Sequence, residues 1–132
     1  MGALGGSALA AWVQTRTDTN APAAVWVSRY APGSGWSTPV ALPATTGVSR
    51  DVRVVLLPDG TGLVFTWPTV GELEVMRMDA TGALGATGQV AKVASSWPVL
   101  LGSSARGDVA VVWRAADSNH SGLTQLLSWE LP

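Results

Sequence analysis

The residues of this chain that could do chemistry are few and far apart. One histidine, His120, lies in the polar stretch Asp117-Ser118-Asn119-His120-Ser121. A histidine acting as general base needs a partner within hydrogen-bond reach, and Ser121 is its neighbour only along the chain. Asp117, Asn119 and His120 are oxygen and nitrogen donors, but they lack the spacing of a zinc site or an EF-hand loop. There is no cysteine, so disulfides, thiolate zinc sites and a cysteine nucleophile are excluded. Glu72 and Glu74 stand two apart, which puts them on one face of a strand. A glycosidase needs two carboxylates placed across a scissile bond, whereas like charges side by side on a strand mark a solvated face. Asp59, Asp79 and Asp108 sit in turn-like contexts, where the side chain bonds nearby backbone. The expectation is therefore a protein with no catalytic residues, no metal site and no cofactor.

Aromatic residues carry more information. Seven tryptophans occur in 132 residues. Trp36 follows Gly33-Ser34-Gly35 and so stands just after a turn, where a flat ring can face solvent. Aromatic faces stack on sugar rings and arginines bond hydroxyls, so Trp36 with Arg29 or Arg77, and with Trp26 nearby, forms a candidate ligand site. The alternative is that these rings pack one sheet on another.

The elements that must position these residues follow from a repeated phrase. "GGSALAAW" (5–12), "GTGLVFTW" (60–67) and "RGDVAVVW" (106–113) each run from a glycine turn through a short apolar segment to a tryptophan. Such a run reads as a strand buried on both faces, and Trp12, Trp67 and Trp113 read as structural packing residues of the repeat. A second apolar run precedes the second and third copies, at 52–57 and 99–101. The Asp59-Gly60 turn after the first of these is a strong hairpin signal. Alternating strands follow at 25–32, 73–80 and 124–131, with Ser28, Met76 and Leu127 sharing a face with Tyr30, Met78 and Trp129. Ragged fourth strands follow at 36–42 and 87–93, and Pro39 suits an edge position.

Repeats of roughly 40–50 residues suggest propeller blades or helical arrays, and no 3.6-residue periodicity supports helices. The expected fold is all-β, of β-propeller type, with about 10 strands in four-stranded antiparallel blades and an incomplete ring. Residues 1–47 form a partial blade of strands 2–4, 48–94 a full blade, and 95–132 a partial blade of strands 1–3. The alternative is a β-sandwich. The opening residues lack the charged n-region of a signal peptide, and the chain is expected to begin in mid-pattern.

The segments "GSALAAWVQ", "VWVSRYAPGSGWSTPVAL" and "DVRVVLLPDGTGLVFTW" resemble the repeats of large bacterial secreted or surface proteins of the sialidase-like and BNR-like propeller group. The resemblance covers most of the chain and is best in the first half; the second unit has Leu84 where the first has Trp36. It implies a propeller fold and an extracellular or cell-surface location. The Asp-box S-x-D-x-G-x-T-W of sialidases is absent. A looser similarity is to small fucose-binding propeller lectins.

Composition limits the partners. Apolar residues make up 47% and charged residues 13%, with a formal net charge of −1. There is no basic surplus for nucleic acid and no apolar run long enough for a membrane span. Loops of different length after the repeat tryptophans would form a rim of Arg16, Asp18, Asn20, Asp117, Asn119 and His120, where binding commonly resides. Two and a half blades leave open edges, so a homo-oligomer or neighbouring blades of a larger assembly are expected as partners. The function expected is a non-catalytic extracellular binding module with glycan as ligand class. The alternatives are a purely structural or oligomerisation segment, and a remnant of a sialidase-like glycoside hydrolase.

Overall fold

The computed structural model describes residues 1–15, 24–43, 49–68, 72–92, 99–114 and 124–129. Among them the chain is all-β, and every strand pair is antiparallel. The first sheet contains β1 (Gly2–Leu4), β2 (Ser7–Gln14), β3 (Ala24–Ala31) and a broken outer strand, β4 (Gly35–Trp36) with β5 (Val40–Ala41), both pairing with β3. The second sheet runs in order β6 (Ser49–Leu56), β7 (Gly62–Pro68), β8 (Glu72–Met78) and β9 (Leu84–Lys92). The third comprises β10 (Leu100–Ser103), β11 (Val109–Arg114) and β12 (Thr124–Trp129).

The expected count of about 10 strands becomes 12 among the described residues. Gly2–Leu4 supplies a first strand that the sequence reading leaves out, because Gly5 and Gly6 (φ 56° and 83°) make a two-residue hairpin turn back onto Ser7–Leu9. The outer strand divides on either side of Pro39, which has no N–H to give to a ladder. None of the three sheets closes on itself.

The sheets stack in chain order, with the second in the middle. Leu9 and Val27 of the first sheet pack with Val64 and Met78 of the second. On its opposite face the second sheet packs Leu63, Phe65, Trp67, Leu73 and Val75 against Val99, Val109, Val111 and Trp113. Successive strand residues point to opposite faces, so each sheet has a trailing face toward its predecessor and a leading face toward its successor. Leu9, Ala11 and Val27 are on the leading face of the first sheet. Val64, Met76 and Met78 are on the trailing face of the second, and Val109, Val111 and Trp113 on the trailing face of the third.

Two contacts fix the first joint. Leu9 is fully buried, and a Cβ built on Gly62 would stand 2.6 Å from its Cδ2, so Gly62 leaves the space that Leu9 fills. The Arg29 guanidinium donates to the Gly60 carbonyl oxygen at 2.6 Å, which ties β3 to the β6–β7 turn of the neighbouring sheet.

Turn geometry sets the equivalence of the three units. In the β6–β7 turn Gly60 N–H donates to the Leu57 carbonyl, and in the β10–β11 turn Gly107 N–H donates to the Ser104 carbonyl. Gly6, Gly60 and Gly107 all have positive φ, between 83° and 96°. Two residues after each lies the pair Ala8↔Tyr30, Gly62↔Met78 or Val109↔Trp129. In this register Trp12, Thr66 and Trp113 are equivalent. The three tryptophans taken together in the sequence are therefore not one structural position: Trp67 comes one residue later and points to the leading face, toward the third sheet. A one-residue slip reverses the face that a strand residue occupies.

Candidate functional site

The trailing face of the first sheet is the one to which the structure brings aromatic residues together. Trp12 lies directly across from Trp26, Ala10 from Ser28, Ala8 from Tyr30, and Tyr30 from Trp36. Strand residues rise about 3.4 Å each. The Trp12–Trp26 pair and the Tyr30–Trp36 pair therefore stand roughly 14 Å apart along β3, with the small side chains Ala10 and Ser28 between them and Ala8 beside Tyr30. The Tyr30 and Trp36 ring centroids are 5.6 Å apart with planes inclined at 60°, within the range of favourable aromatic pairs. Trp36 is 51% exposed. Trp12, Trp26 and Tyr30 are half-buried.

A loop that returns to the sheet supports this face. Gly33 and Gly35 adopt positive φ, 83° and 76°, and Ser34 N–H donates to the Ala31 carbonyl at 3.1 Å. Ser37 N–H then donates to the Arg29 carbonyl at 2.7 Å. The buried Ser28 hydroxyl donates to the Ser37 carbonyl at 2.8 Å, and Arg29 N–H donates to the Ser37 hydroxyl at 3.1 Å. Trp36 is thus held beside Tyr30 by backbone geometry on both sides.

The structure divides the four ligand-site residues expected from sequence. Trp36 and Trp26 share the trailing face of the first sheet. Arg29 is on the other face, and its guanidinium is bound to the Gly60 carbonyl, so it cannot reach a ligand lying on Trp36. Arg77 belongs to the second sheet, where it donates to the Thr61 hydroxyl at 3.2 Å and stands 3.9 Å from the Asp59 carboxylate. The pairing of Trp36 with Arg29 or Arg77 is therefore corrected: opposite strand parity separates the first, and a different sheet carries the second. Sequence reasoning missed Tyr30 as a site residue; its signal was the alternation that already put it on the Ser28 side of β3. The rim residues Arg16, Asp18, Asn20, Asp117, Asn119 and His120 lie outside the described residues.

Of the repeat tryptophans, Trp67 and Trp113 are buried in the joint between the second and third sheets. Arg53 stands over the Trp67 ring, 5.7 Å from its centroid, while paired with Asp51 at 2.6 Å. The acidic pair does not form a solvated face as expected. Glu72 is half-buried, and Glu74 is only 7% exposed, on the side of β8 that faces the first sheet. Strand parity alone does not reveal that burial.

The turn aspartates behave as turn residues. Asp59 accepts from Thr61 N–H at 2.8 Å and from the Thr61 hydroxyl at 3.0 Å. Its pKa is lowered chiefly by the Thr61 amide, with the Thr61 hydroxyl and the Arg77 charge helping against partial desolvation. Asp79 accepts from the Thr81 hydroxyl and from the N–H groups of Thr81 and Ala83, and its pKa is lowered, first by that hydroxyl. Asp108 instead accepts from the Ser104 hydroxyl at 2.7 Å. Among the described residues no group of three or more His, Cys, Asp or Glu side chains could hold a metal ion. A cleft of about 420 Å³ opens beside β6, lined by Met1, Ala11, Arg53, Val54 and Leu100 among others.

No protein-family model matches the chain, and no curated protein or solved structure is significantly similar to it.

Proposed function

We propose that this chain is a segment of propeller-type repeats that works as a non-catalytic binding module, with carbohydrate as its ligand class. The observation that carries the reading is the tilted Tyr30–Trp36 pair on a face that no described sheet covers. Two inclined rings with a half-exposed indole offer the flat apolar surfaces on which sugar C–H faces stack, and the Ser37 turn puts hydroxyl and backbone groups next to them. The stack supports the propeller-type reading through its serial, leading-to-trailing packing of antiparallel meanders. An extracellular or surface location accords with such a module. The test is a glycan array followed by titration calorimetry. Binding that is lost in Trp36→Ala while circular dichroism is unchanged supports the reading; an array without hits from a folded sample rejects it.

A specific observation favours a second reading, that of a structural or assembly segment. Trp36 pairs with Tyr30 as Leu84 pairs with Met78, and Leu84 packs against the core shared by the first and second sheets. The position that Trp36 occupies is thus one that a neighbouring sheet covers elsewhere in the same molecule.

A further inference from the structure

We propose that the trailing face of the first sheet is the seat for the leading face of the third sheet of a second copy, so that two copies close a ring of six sheets. The inference rests on the propeller-type reading above, and goes beyond it by assigning both surfaces of the joint.

The chain makes the same kind of joint twice. The leading face of the first sheet covers the trailing face of the second, and the leading face of the second covers the trailing face of the third. One trailing face and one leading face remain uncovered among the described residues, at opposite ends of the stack. A second copy offers both missing partners in the orientation already used inside the chain. Two copies then share two identical joints related by a two-fold axis, and the association ends there instead of growing into a filament.

The described side chains on both surfaces of the joint are uncharged. Inside the chain, a large leading residue, Leu9, fills the space over a small trailing one, Gly62. In the open pair the positions of Leu9 and Gly62 are taken by Ala110 and Ala8, and the bulk lies at other positions of the trailing face. The trailing face carries Trp12, Trp26 and Tyr30, while the leading face of the third sheet carries Gly102 and Ala110, with open space where a Cβ on Gly102 would point. Leu100 lies across from Val112 on that leading face and is 61% exposed, the most exposed leucine among the described residues. No described charged side chain stands on either strip. Trp36, on the outermost strand, lies at the border of the seat.

The test uses the absence of cysteine in the chain. Ala10→Cys marks the trailing face and Ala110→Cys the leading face. Light scattering on the unmodified chain should give a dimer mass. A short bis-maleimide should join the two variants when mixed and join neither to itself. Leu100→Glu should yield a monomer with unchanged circular dichroism, because Leu100 contributes little to the core of its own chain. A monomer at every concentration overturns the proposal. So does cross-linking of Ala10→Cys to itself, which would mean a symmetric back-to-back contact, or a Leu100→Glu protein that stays dimeric. Sugar binding is read separately on the same samples: a dimer without sugar binding removes only the glycan reading, and a sugar-binding monomer removes only the joint.

Discussion

The first and second sheets share one strand plan and have different surroundings. In the second, β7 is buried on both sides, with Val64 against the first sheet and Phe65 against the third. In the first, β2 buries Leu9 on one side and leaves Ala8, Ala10 and Trp12 on the other, where no described sheet lies. Equivalent positions therefore carry different residues: Gly62 against Ala8, and Leu84 against Trp36. Residue type does not decide which tryptophan is exposed. Trp67 is 5% exposed because a sheet covers it, and Trp36 is 51% exposed because none does.

The largest effect should separate these two tryptophans. Trp67→Ala should cost about 3–5 kcal/mol, read as a lowered urea midpoint. Trp36→Ala should change stability by no more than about 0.5 kcal/mol at concentrations below those of self-association. Equal costs would show that the trailing face of the first sheet is covered even in the monomer. The next contrast adds volume. Gly62→Val should cost about 1–3 kcal/mol through overpacking against Leu9, while Ala8→Val, at the equivalent place on the open face, should leave the thermal midpoint unchanged at concentrations below those of self-association. An equally damaging Ala8→Val would break the comparison.

Smaller effects concern the polar ties. Arg29→Met should cost about 1 kcal/mol, since it leaves the Gly60 carbonyl without its charged donor. Arg77→Met should be close to neutral, because its contact with Asp59 is exposed and long. The smallest effect is that of pH on the turn aspartates. Their folded pKa values are depressed, so the stabilisation is present above the ordinary aspartate value of 3.8 and disappears as pH falls through the lower folded value. The stability gap between the parent and Asp79→Ala should hold constant from pH 7 to about 4 and close below that. A gap that widened on acidification would contradict the sign.

Much of this arrangement is legible in the residues. Glycine turns at 60 and 107 and the alternation in 73–80 lead directly to the hairpins observed. The face of each tryptophan is not legible, because tryptophan catches the eye while the turn glycine sets the register, and Trp67 is displaced by one. Arg29 was separable from Trp36 only once the Tyr30↔Trp36 pairing was known. Glu74 could not be recognised as buried, because the like charge two residues away on the same strand shows only that the two share a face and says nothing of what covers it.

The strand order has a kinetic consequence. Every hydrogen-bonded pair in the three sheets joins strands close in sequence, so each meander closes short loops only and can form quickly. Docking of finished meanders is then the slow event. Since the second sheet takes part in both internal joints, growth of the stack should start from it and proceed outward in either direction, as in other one-dimensional arrays. Substitutions at Leu9 should therefore change the docking rate of the first sheet and leave hairpin closure alone.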